Sequence, residues 1–304
     1  MKRKIKKVAV LGSGIMGSRI ACHFANVGLE VLLLDISPKE LTDQEKSKNL
    51  TLDHPSVKNR IVNESLQQSI SSKPSPLYLK DKASLISTGN FDDDLPRIKD
   101  ADWVIEAIVE NLEIKSTLFK KVEKHVNPNA IISSNTSGIP INLIIKDRSE
   151  HFQKQFCGAH FFNPPRYLRL LEIIPTKKTD PEIVDFLVHY GDLYLGKETV
   201  ICKDTPAFIA NRIGIYSLMS AMHTIEEMGL SVNEVDKLTG PVIGRPKSAT
   251  FRTLDVVGLD TAVKVAQGLA QGLKDDESKE LFELPKIVKE LYDRKWWGDK
   301  TKQG

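Results

Sequence analysis

A histidine and a glutamate, twelve residues apart in two apolar segments, could carry acid–base chemistry. His160 lies near the end of the apolar run 156–162, and Glu172 interrupts the apolar run 170–174. A carboxylate in an apolar strand is costly unless a cation pairs with it, and an imidazolium is such a cation. An imidazole can also take a proton from a hydroxyl near neutral pH. A hydrogen-bonded core histidine and an edge-strand glutamate that faces water are the alternatives that remain open.

A glycine-rich turn near the N terminus predicts a phosphate site. Gly12, Gly14 and Gly17 form a GxGxxG pattern that follows the apolar run 8–11 and opens a helical pattern. In this context the glycines permit a tight turn, close approach of a pyrophosphate and close packing of helix on strand. Asp35 ends the next apolar run, where its carboxylate would bind a ribose diol and repel a 2′-phosphate. The pattern therefore predicts NAD rather than NADP. The alternative is a plain glycine turn with a solvated carboxylate.

Polar residues also follow two later predicted strands. Glu110 and Asn111 come after the run 103–109, and Asn135, Thr136 and Ser137 come after the run 130–134. Because ligands of parallel α/β sheets bind beyond the carboxyl ends of the strands, these residues are well placed to meet a cofactor. Ordinary strand-to-helix turns also favour Asn, Ser and Thr, so that interpretation stays open.

The elements that must position these residues are strands that alternate with helices. Eight apolar runs predict strands at 8–11, 31–34, 85–88, 103–109, 130–134, 156–162, 170–174 and 198–202. A helical spacing of apolar residues follows the first of them, and another fills 112–126. This alternation predicts an α/β fold with a Rossmann-like, doubly wound, mostly parallel sheet. Residues 37–84 show only weak helical spacing, which Pro55, Pro74 and Pro76 would interrupt.

The chain beyond residue 203 contains only helical patterns and turns. We therefore expect an NAD-binding domain over 1–203 and a smaller all-α domain over 204–304. Asp204 and Pro206 form a strong helix start, and the helix is expected to run to Met228 and stop at Gly229. Its apolar residues occupy more than one face, which indicates a helix buried in the core of its domain or in a subunit interface, and the sequence does not separate the two.

Composition excludes several classes of protein. The 304 residues suffice for one large domain or two ordinary ones, and a net charge of +3 gives no support for nucleic-acid binding. No apolar run approaches the roughly 18 residues of a membrane span. The histidines form no HxH, HExxH or His/Cys cluster, so no metal site is predicted. The three cysteines lie far apart, and the basic segment 1–7 lacks a signal-peptide core, so we expect a cytoplasmic protein.

Taken together, six motifs resemble one family. They are the glycine turn 12–17, Glu-Ala-Ile-Val-Glu-Asn at 106–111, Ser-Asn-Thr-Ser at 134–137, His-Phe-Phe-Asn-Pro at 160–164, Pro-Ala-Phe-Ile-Ala-Asn-Arg at 206–212 and Leu-Asp-Val-Val-Gly-Leu-Asp at 254–260. In this order and spacing the chain resembles the L-3-hydroxyacyl-CoA dehydrogenases of fatty-acid β-oxidation, from about residue 6 to residue 304. No single motif would be specific enough.

The resemblance implies a reaction and a role for each motif. It implies reversible oxidation of an (S)-3-hydroxyacyl-CoA to a 3-ketoacyl-CoA with NAD, in which His160 is the general base and Glu172 orients it. Ser137 and Asn211 would hydrogen-bond the substrate oxygen, and Asn163 would shape the substrate site. The NAD-binding residues implied by the resemblance are Gly12, Gly14, Ile15, Met16, Gly17, Asp35, Glu110, Lys115, Asn135 and Ser137. Family members are commonly homodimers through the helical domain.

The chain departs from the family pattern in two places. Residues 44–84 differ from the usual helical hairpin and are more similar to the dehydrogenase part of multifunctional bacterial proteins that add an enoyl-CoA hydratase module. No CoA-binding residue is therefore expected from the resemblance there. The segment 298–304 resembles the run before a Gly-Phe-Tyr tail, which indicates a fragment.

Two other functions stay open at this stage. A dehydrogenase of the same fold could act on a sugar acid such as L-gulonate, since that branch shares the His, Glu and Asn arrangement. A non-catalytic NAD-binding protein, like the crystallin relatives of the family, is the other alternative. The joint presence of His160, Glu172, Ser137 and Asn211 favours an enzyme.

Overall fold

Eight strands form one sheet in the first of two units. The structure, a computed structural model, describes residues 3–304 and divides after Asp204. The strands are β1 Lys7–Leu11, β2 Glu30–Asp35, β3 Ile86–Asn90, β4 Trp103–Glu106, β5 Ile131–Ser134, β6 Phe156–Phe161, β7 Leu170–Pro175 and β8 Glu198–Ile201. Each predicted apolar run overlaps one of them, and the ends differ by at most three residues.

The sheet has the strand order β3-β2-β1-β4-β5-β6-β7-β8. The six strands from β3 to β6 are parallel, β7 is antiparallel to β6, and β8 is parallel to β7. The predicted doubly wound, mostly parallel sheet is confirmed. Strand order reverses at β1, which pairs with β2 on one side and β4 on the other. A crevice at such a reversal is where open α/β sheets bind ligands, beyond the carboxyl ends of the strands.

Helices cover both faces of this sheet, as parallel strands with apolar side chains on both faces require. They are α1 Ile15–Asn26, α2 Asp43–Ser47, α3 Pro55–Lys58, α4 Arg60–Ser71, α5 Leu112–Val122, α6 Ile141–Ile145, α7 Glu150–Lys154 and α8 Pro181–Leu193. The core beneath α1 is aromatic: Phe24 packs edge-to-face on Trp103 at 5.3 Å and on Phe161 at 6.0 Å between ring centroids. This packing fixes the first helix against the strands whose ends form the site.

Residues 37–84 are more helical than their weak apolar spacing indicates. Pro55 does not interrupt a helix but begins one, because proline is tolerated at the first helical position, where no N–H partner is needed. α4 buries Val62 and Leu66 and packs against α1. Pro74 and Pro76 lie beyond the end of α4, so the segment forms helices between its prolines rather than one helix across them.

The second unit, Thr205–Gly304, is all-helical, as predicted. Its α-helices are α9 Ala210–Met228, α10 Val232–Leu238, α11 Phe251–Val257, α12 Leu259–Gly272 and α13 Lys286–Asp293. Its main core joins Met222 of α9, Leu254 of α11, Val263 of α12 and Val288 of α13. Within residues 3–304, no helix is long and apolar enough to cross a membrane.

Two predictions about the helix at residue 206 are wrong. α9 begins at Ala210, because Ala207 and Phe208 are left-handed, with φ of +59° and +53°. The Asp204 carboxylate does not cap this helix; it accepts the N–H groups of Ile141 and Asn142, at 2.8 and 2.9 Å, at the start of α6.

Within one chain, α9 is buried along one face only. Met219, Met222 and Ile225 are buried, but Ile213 and Tyr216 are 63% and 45% exposed. The helix therefore has one packed face and one exposed apolar face. Apolar residues on several sides of a helix do not by themselves show that every side is buried.

Candidate active site

The pairing of β6 with β7 brings His160 and Glu172 together. The two residues face each other in the antiparallel register, so their side chains extend from the same face of the sheet. His160 Nδ1 lies 2.8 Å from Glu172 Oε2, and both residues are buried, with exposures of 6% and 0%. An ionised carboxylate can only accept, so Nδ1 donates and Nε2 is the basic nitrogen. Because Glu172 is fully buried, the alternative of a water-facing glutamate is wrong, whereas a hydrogen-bonded core histidine fits this contact as well as a catalytic one does.

Two asparagines hold the backbone that follows His160. Asn135 Oδ1 accepts the N–H of Phe161 at 2.8 Å, which ties the loop after β5 to the end of β6. Asn163 is exposed, and its Oδ1 accepts a hydrogen bond at 2.6 Å from Arg19 in α1. The loop that follows His160 is therefore anchored to the helix that follows the glycine turn.

The glycine turn fits a dinucleotide phosphate group. Gly12 has φ +102°, and a Cβ there would lie 2.6 Å from Ala107 O, so only glycine lets the turn pass this close to the end of β4. A Cβ at Gly14 would meet nothing within 4 Å, so the space before α1 is open. No side chain caps the start of α1, which leaves its first N–H groups to an anion. The exposed Ile15 and the half-buried Met16 begin this helix.

Asp35 lies at the end of β2 beside a cavity of about 730 Å³. Its Oδ2 accepts the N–H and the hydroxyl of Ser13, at 2.6 and 2.5 Å, and its Oδ1 accepts the N–H of Ile36 at 2.7 Å. The carboxylate thus joins the glycine turn to β2. Gly12, Gly14 and Asp92 also line the cavity, whose position and size suit the adenosine half of a dinucleotide.

Glu110 and Lys115 belong to one cluster with Glu106, which sequence reasoning did not single out. Lys115 is 1% exposed, and its Nζ lies 2.6 Å from Glu106 Oε1 and 3.3 Å from Glu110 Oε2. Glu110 Oε1 accepts the hydroxyl of Thr136 at 2.6 Å and the N–H of Ser137 at 3.0 Å. Glu106 carried the same signal as Glu172: a carboxylate inside an apolar strand, which requires a buried partner.

Asn211 lies in the second unit, at the second position of α9, and is half-buried. The other predicted site residues all belong to the first unit. They lie at or beyond the carboxyl ends of β1, β2, β4, β5 and β6, except Glu172, which lies in β7 and pairs with His160. The structure therefore brings the predicted cofactor and acid–base residues to the end of the sheet where the parallel strands have their carboxyl ends.

Neither metal chemistry nor cysteine chemistry has support in the part of the chain that the structure describes. No group of three or more His, Cys, Asp or Glu side chains there could hold a metal ion. Cys22, Cys157 and Cys202 are buried and form no disulfide. Burial raises the pKa of the Cys22 and Cys157 thiols to about 12, which suppresses the reactive thiolate.

Two family matches together cover nearly the whole chain. Residues 7–205 match the family described as "3-hydroxyacyl-CoA dehydrogenase, NAD binding domain", and residues 208–304 match its "C-terminal domain". The first match ends one residue beyond the point at which the structure divides.

Relatives and solved structures agree with these matches. Proteins of Bacillus subtilis and Deinococcus radiodurans, each named "Probable 3-hydroxyacyl-CoA dehydrogenase", are 49% and 46% identical over 304 and 301 residues. They match 100% and 99% of this chain, which spans 38% of the first protein and 82% of the second. The crystal structure of (S)-3-hydroxybutyryl-CoA dehydrogenase from Ralstonia eutropha has a TM-score of 0.77 at 29% identity, over 99% of this chain and 98% of that one.

Proposed function

The chain belongs to the 3-hydroxyacyl-CoA dehydrogenase family, an oxidoreductase family with an NAD-binding domain, and from this premise we propose its reaction. It oxidises (S)-3-hydroxyacyl-CoA reversibly to 3-ketoacyl-CoA. The observation that carries the proposal is the 2.8 Å contact between His160 and Glu172, beside the strand ends that carry the cofactor motifs. NAD, when bound, accepts the hydride from the hydroxyl-bearing carbon.

His160 takes the proton of the 3-hydroxyl on Nε2, and returns it in the reductive direction. Glu172 holds Nδ1 protonated, which leaves Nε2 basic, and it stabilises the imidazolium that forms once the proton is taken. Ser137 and Asn211 hydrogen-bond the substrate oxygen, and Asn163 shapes the site.

The cofactor contacts fall into two groups, one beyond β1 and β2 and the other beyond β4 and β5. The turn from Gly12 to Gly17, with Ile15 and Met16, holds the pyrophosphate at the uncapped start of α1. Asp35 accepts hydrogen bonds from the adenosine ribose and repels a 2′-phosphate. Glu110, Lys115, Asn135 and Ser137 serve the nicotinamide half, beyond β4 and β5.

The test is the initial rate of NADH loss with acetoacetyl-CoA, for the unchanged protein and for His160→Ala. Removal of a positioned general base typically costs 10²–10⁴-fold, so kcat should fall by about that factor while NADH affinity stays the same. NADPH should be a far poorer reductant than NADH. Turnover of L-gulonate without turnover of acetoacetyl-CoA would contradict the proposal in favour of a sugar-acid substrate. NADH binding without turnover of either substrate would favour a non-catalytic protein.

A homodimer through the helical unit is part of this proposal. Ile213 and Tyr216 of α9 form an exposed apolar face, and Val256 and Val257 of α11 are also exposed, at 57% and 50%. A second copy of the chain would cover such surface. Light scattering after gel filtration should give twice the mass of one chain. The substitution Ile213→Lys should lower the measured mass toward that of a single chain. A monomer at micromolar concentration would contradict the dimer.

The chain also fits a larger protein of fatty-acid β-oxidation in the cytoplasm. It spans only 38% of the B. subtilis relative, which leaves room there for an enoyl-CoA hydratase module. Buried cysteines without a disulfide among the described residues suit a reducing compartment. Hydratase activity in the protein purified at its natural length would support the fusion. Normal growth on long-chain fatty acids after disruption of the gene would contradict the pathway.

A further inference from the structure

A buried lysine contacts the loop that joins β6 to β7, residues 162–169, which we call the β6–β7 loop. Lys197 lies between α8 and β8 and is 4% exposed. Its Nζ donates to the carbonyl oxygens of Pro165 and Leu168, the second at 2.8 Å, and lies 5.6 Å from the centre of the Phe161 ring. None of these partners is a carboxylate. The polar contacts of this buried amine are therefore with the backbone of the loop.

The β6–β7 loop supplies few hydrogen-bond donors of its own. Pro164 and Pro165 have no backbone N–H. The N–H groups of Tyr167 and Leu168 both donate to the carbonyl oxygen of Pro164, each at 3.0 Å. Because Pro165 is buried, its carbonyl oxygen requires a partner from elsewhere in the chain. Lys197 supplies that partner and binds the carbonyl oxygen of Leu168 as well.

The β6–β7 loop connects the two strands of the acid–base pair. It begins directly after β6, which carries His160, and ends directly before β7, which carries Glu172. Arg19 holds Asn163 near the start of the loop, at 2.6 Å, whereas Lys197 holds the middle and the end. A shift of this loop would move Asn163 and the carboxyl end of β6 relative to a bound substrate.

We propose that Lys197 is a positioning residue for the acid–base site. It fixes the β6–β7 loop and, through the loop, the placement of His160 and Asn163 at the substrate. The inference rests on the proposed function and deepens it, because it assigns a role to a side chain that acts only through other residues. Rates of reaction depend steeply on such placement, since the reacting atoms must lie within a few ångströms of each other in a defined orientation.

The contact of Lys197 with the loop does not depend on its charge. Burial lowers the pKa of Lys197 to about 8. Below this pH the ammonium has three N–H groups, and above it the neutral amine still has two, one for each carbonyl oxygen. Donors for Pro165 and Leu168 are therefore present in both forms of the side chain.

The test compares kcat and KM for acetoacetyl-CoA, and the dissociation constant of NADH, between the unchanged protein and Lys197→Met. Methionine keeps an unbranched side chain but has no donor for the two carbonyl oxygens. A misplacement of about 1 Å can cost about 10²-fold in rate, so kcat/KM should fall by a factor of that order. NADH affinity should stay the same, because the glycine turn and Asp35 lie beyond other strands.

The pH–rate profile separates an effect on position from an effect on the acid–base pair. The strand pairing that brings His160 and Glu172 together does not involve Lys197, so the midpoint of the profile should stay where it is in the unchanged protein. A shifted midpoint in Lys197→Met would show that the loss of rate arises from the ionisation of the pair and would overturn positioning through the loop.

Lys177→Met is the matched control. Lys177 is exposed and lies beyond the other end of β7, roughly 20 Å along the strand from the β6–β7 loop. The control makes the same substitution near the same strand, so it should leave kcat, KM and NADH affinity unchanged. A loss of kcat/KM in the control as large as that in Lys197→Met would overturn the inference.

Three further outcomes separate the possibilities. An unchanged kcat/KM in folded Lys197→Met, even with lowered stability, would overturn the inference and leave Lys197 a purely structural role. If Lys197→Met does not fold, Lys197→Gln decides, because glutamine keeps a donor but is too short to reach both carbonyl oxygens. A folded Lys197→Gln protein with unchanged kcat/KM would overturn the inference, and a fall would support it. Absence of turnover in the unchanged protein would contradict the proposed function itself.

Discussion

Two buried glutamates lie in neighbouring parts of the same sheet, and their partners differ. Glu172 in β7 pairs with an imidazole on the adjacent strand, at 2.8 Å. Glu106 at the end of β4 pairs with an ammonium from the following helix, at 2.6 Å. An imidazole gains and loses a proton near neutral pH, whereas a lysine ammonium stays charged there.

The difference in partners suits the two pairs to different tasks. A glutamate beside an imidazole can support a proton transfer, because the charge of the pair changes as the proton moves. A glutamate beside an ammonium keeps a constant charge and so supplies a constant field and a fixed geometry.

Loss of Lys115, the partner that keeps its charge, should lower the stability of the protein most. Lys115→Met removes the ammonium and leaves the carboxylate of Glu106 buried without its ion-pair partner. Breaking one side of a buried pair typically costs about 3–5 kcal/mol, so the free energy of unfolding should fall by about that amount in urea denaturation. Lys121→Met, at an exposed position of the same helix, is the control and should change it by less than about 0.5 kcal/mol. Equal losses in both variants would show that the buried pair is not structural.

Loss of the negative charge of Glu172, by contrast, should lower the catalytic rate. Glu172→Gln keeps an oxygen that can accept from His160 Nδ1, but it removes the charge that stabilises the imidazolium. We expect kcat for acetoacetyl-CoA reduction to fall about 10²-fold, with a shifted pH–rate profile and an NADH affinity like that of the unchanged protein. A fall in stability as large as that of Lys115→Met, with kcat retained in the folded fraction, would erase the distinction between the two pairs.

The sequence already contained the signal for both pairs, but only one was interpreted. His160 and Glu172 were predicted because both lie in strand-like runs and because a buried carboxylate needs a partner. Glu106 satisfies the same rule, yet its partner comes from a helix, and no spacing along the chain shows which lysine turns inward. Lys115 resembles any other helical lysine in the sequence and is nevertheless 1% exposed.

The strands of the fold could be predicted from the sequence more accurately than the start of α9. Strands were found because buried parallel strands are continuous apolar runs, which sequence shows directly. The start of α9 was missed because Asp204 caps a different helix, through Ile141 and Asn142, more than sixty residues earlier in the chain. Cap residues have the same signature whichever helix start they bind, so tertiary contact decides.

A second buried histidine, His23, contacts a backbone carbonyl instead of a carboxylate. His23 is 3% exposed, and its Nε2 contacts the carbonyl oxygen of Leu195 at 3.1 Å. Burial and, secondly, the charge of Lys197 lower the pKa of His23 to about 3. Its folded pKa lies below its unfolded value, so the unfolded state binds the proton first and stability falls as pH drops below about 6.5.

The pH dependence of stability measures this histidine. Each proton bound only by the unfolded state lowers the free energy of unfolding by up to about 1.4 kcal/mol per pH unit. Urea unfolding between pH 6 and pH 4 should therefore show a fall of about that size per pH unit that is due to His23. His23→Gln keeps a donor for Leu195 and cannot titrate, so its stability should fall less steeply with acid. Parallel pH curves for both proteins would contradict the assignment of this loss to His23.

Asp35 gives the smallest expected effect, because it is the most solvent-accessible carboxylate in the comparison. Its hydrogen bonds resemble those of Glu106, with two donors from Ser13 and one from Ile36, but it is half-buried and lines an open cavity. Its repulsion of a 2′-phosphate is therefore screened by water, and removal of its charge is worth about 1 kcal/mol. Asp35→Asn should raise NADPH affinity relative to NADH only several-fold. A hundredfold or larger rise in relative NADPH affinity would show that burial does not set the strength of these carboxylate charges. The two glutamate pairs would then differ only in the type of partner.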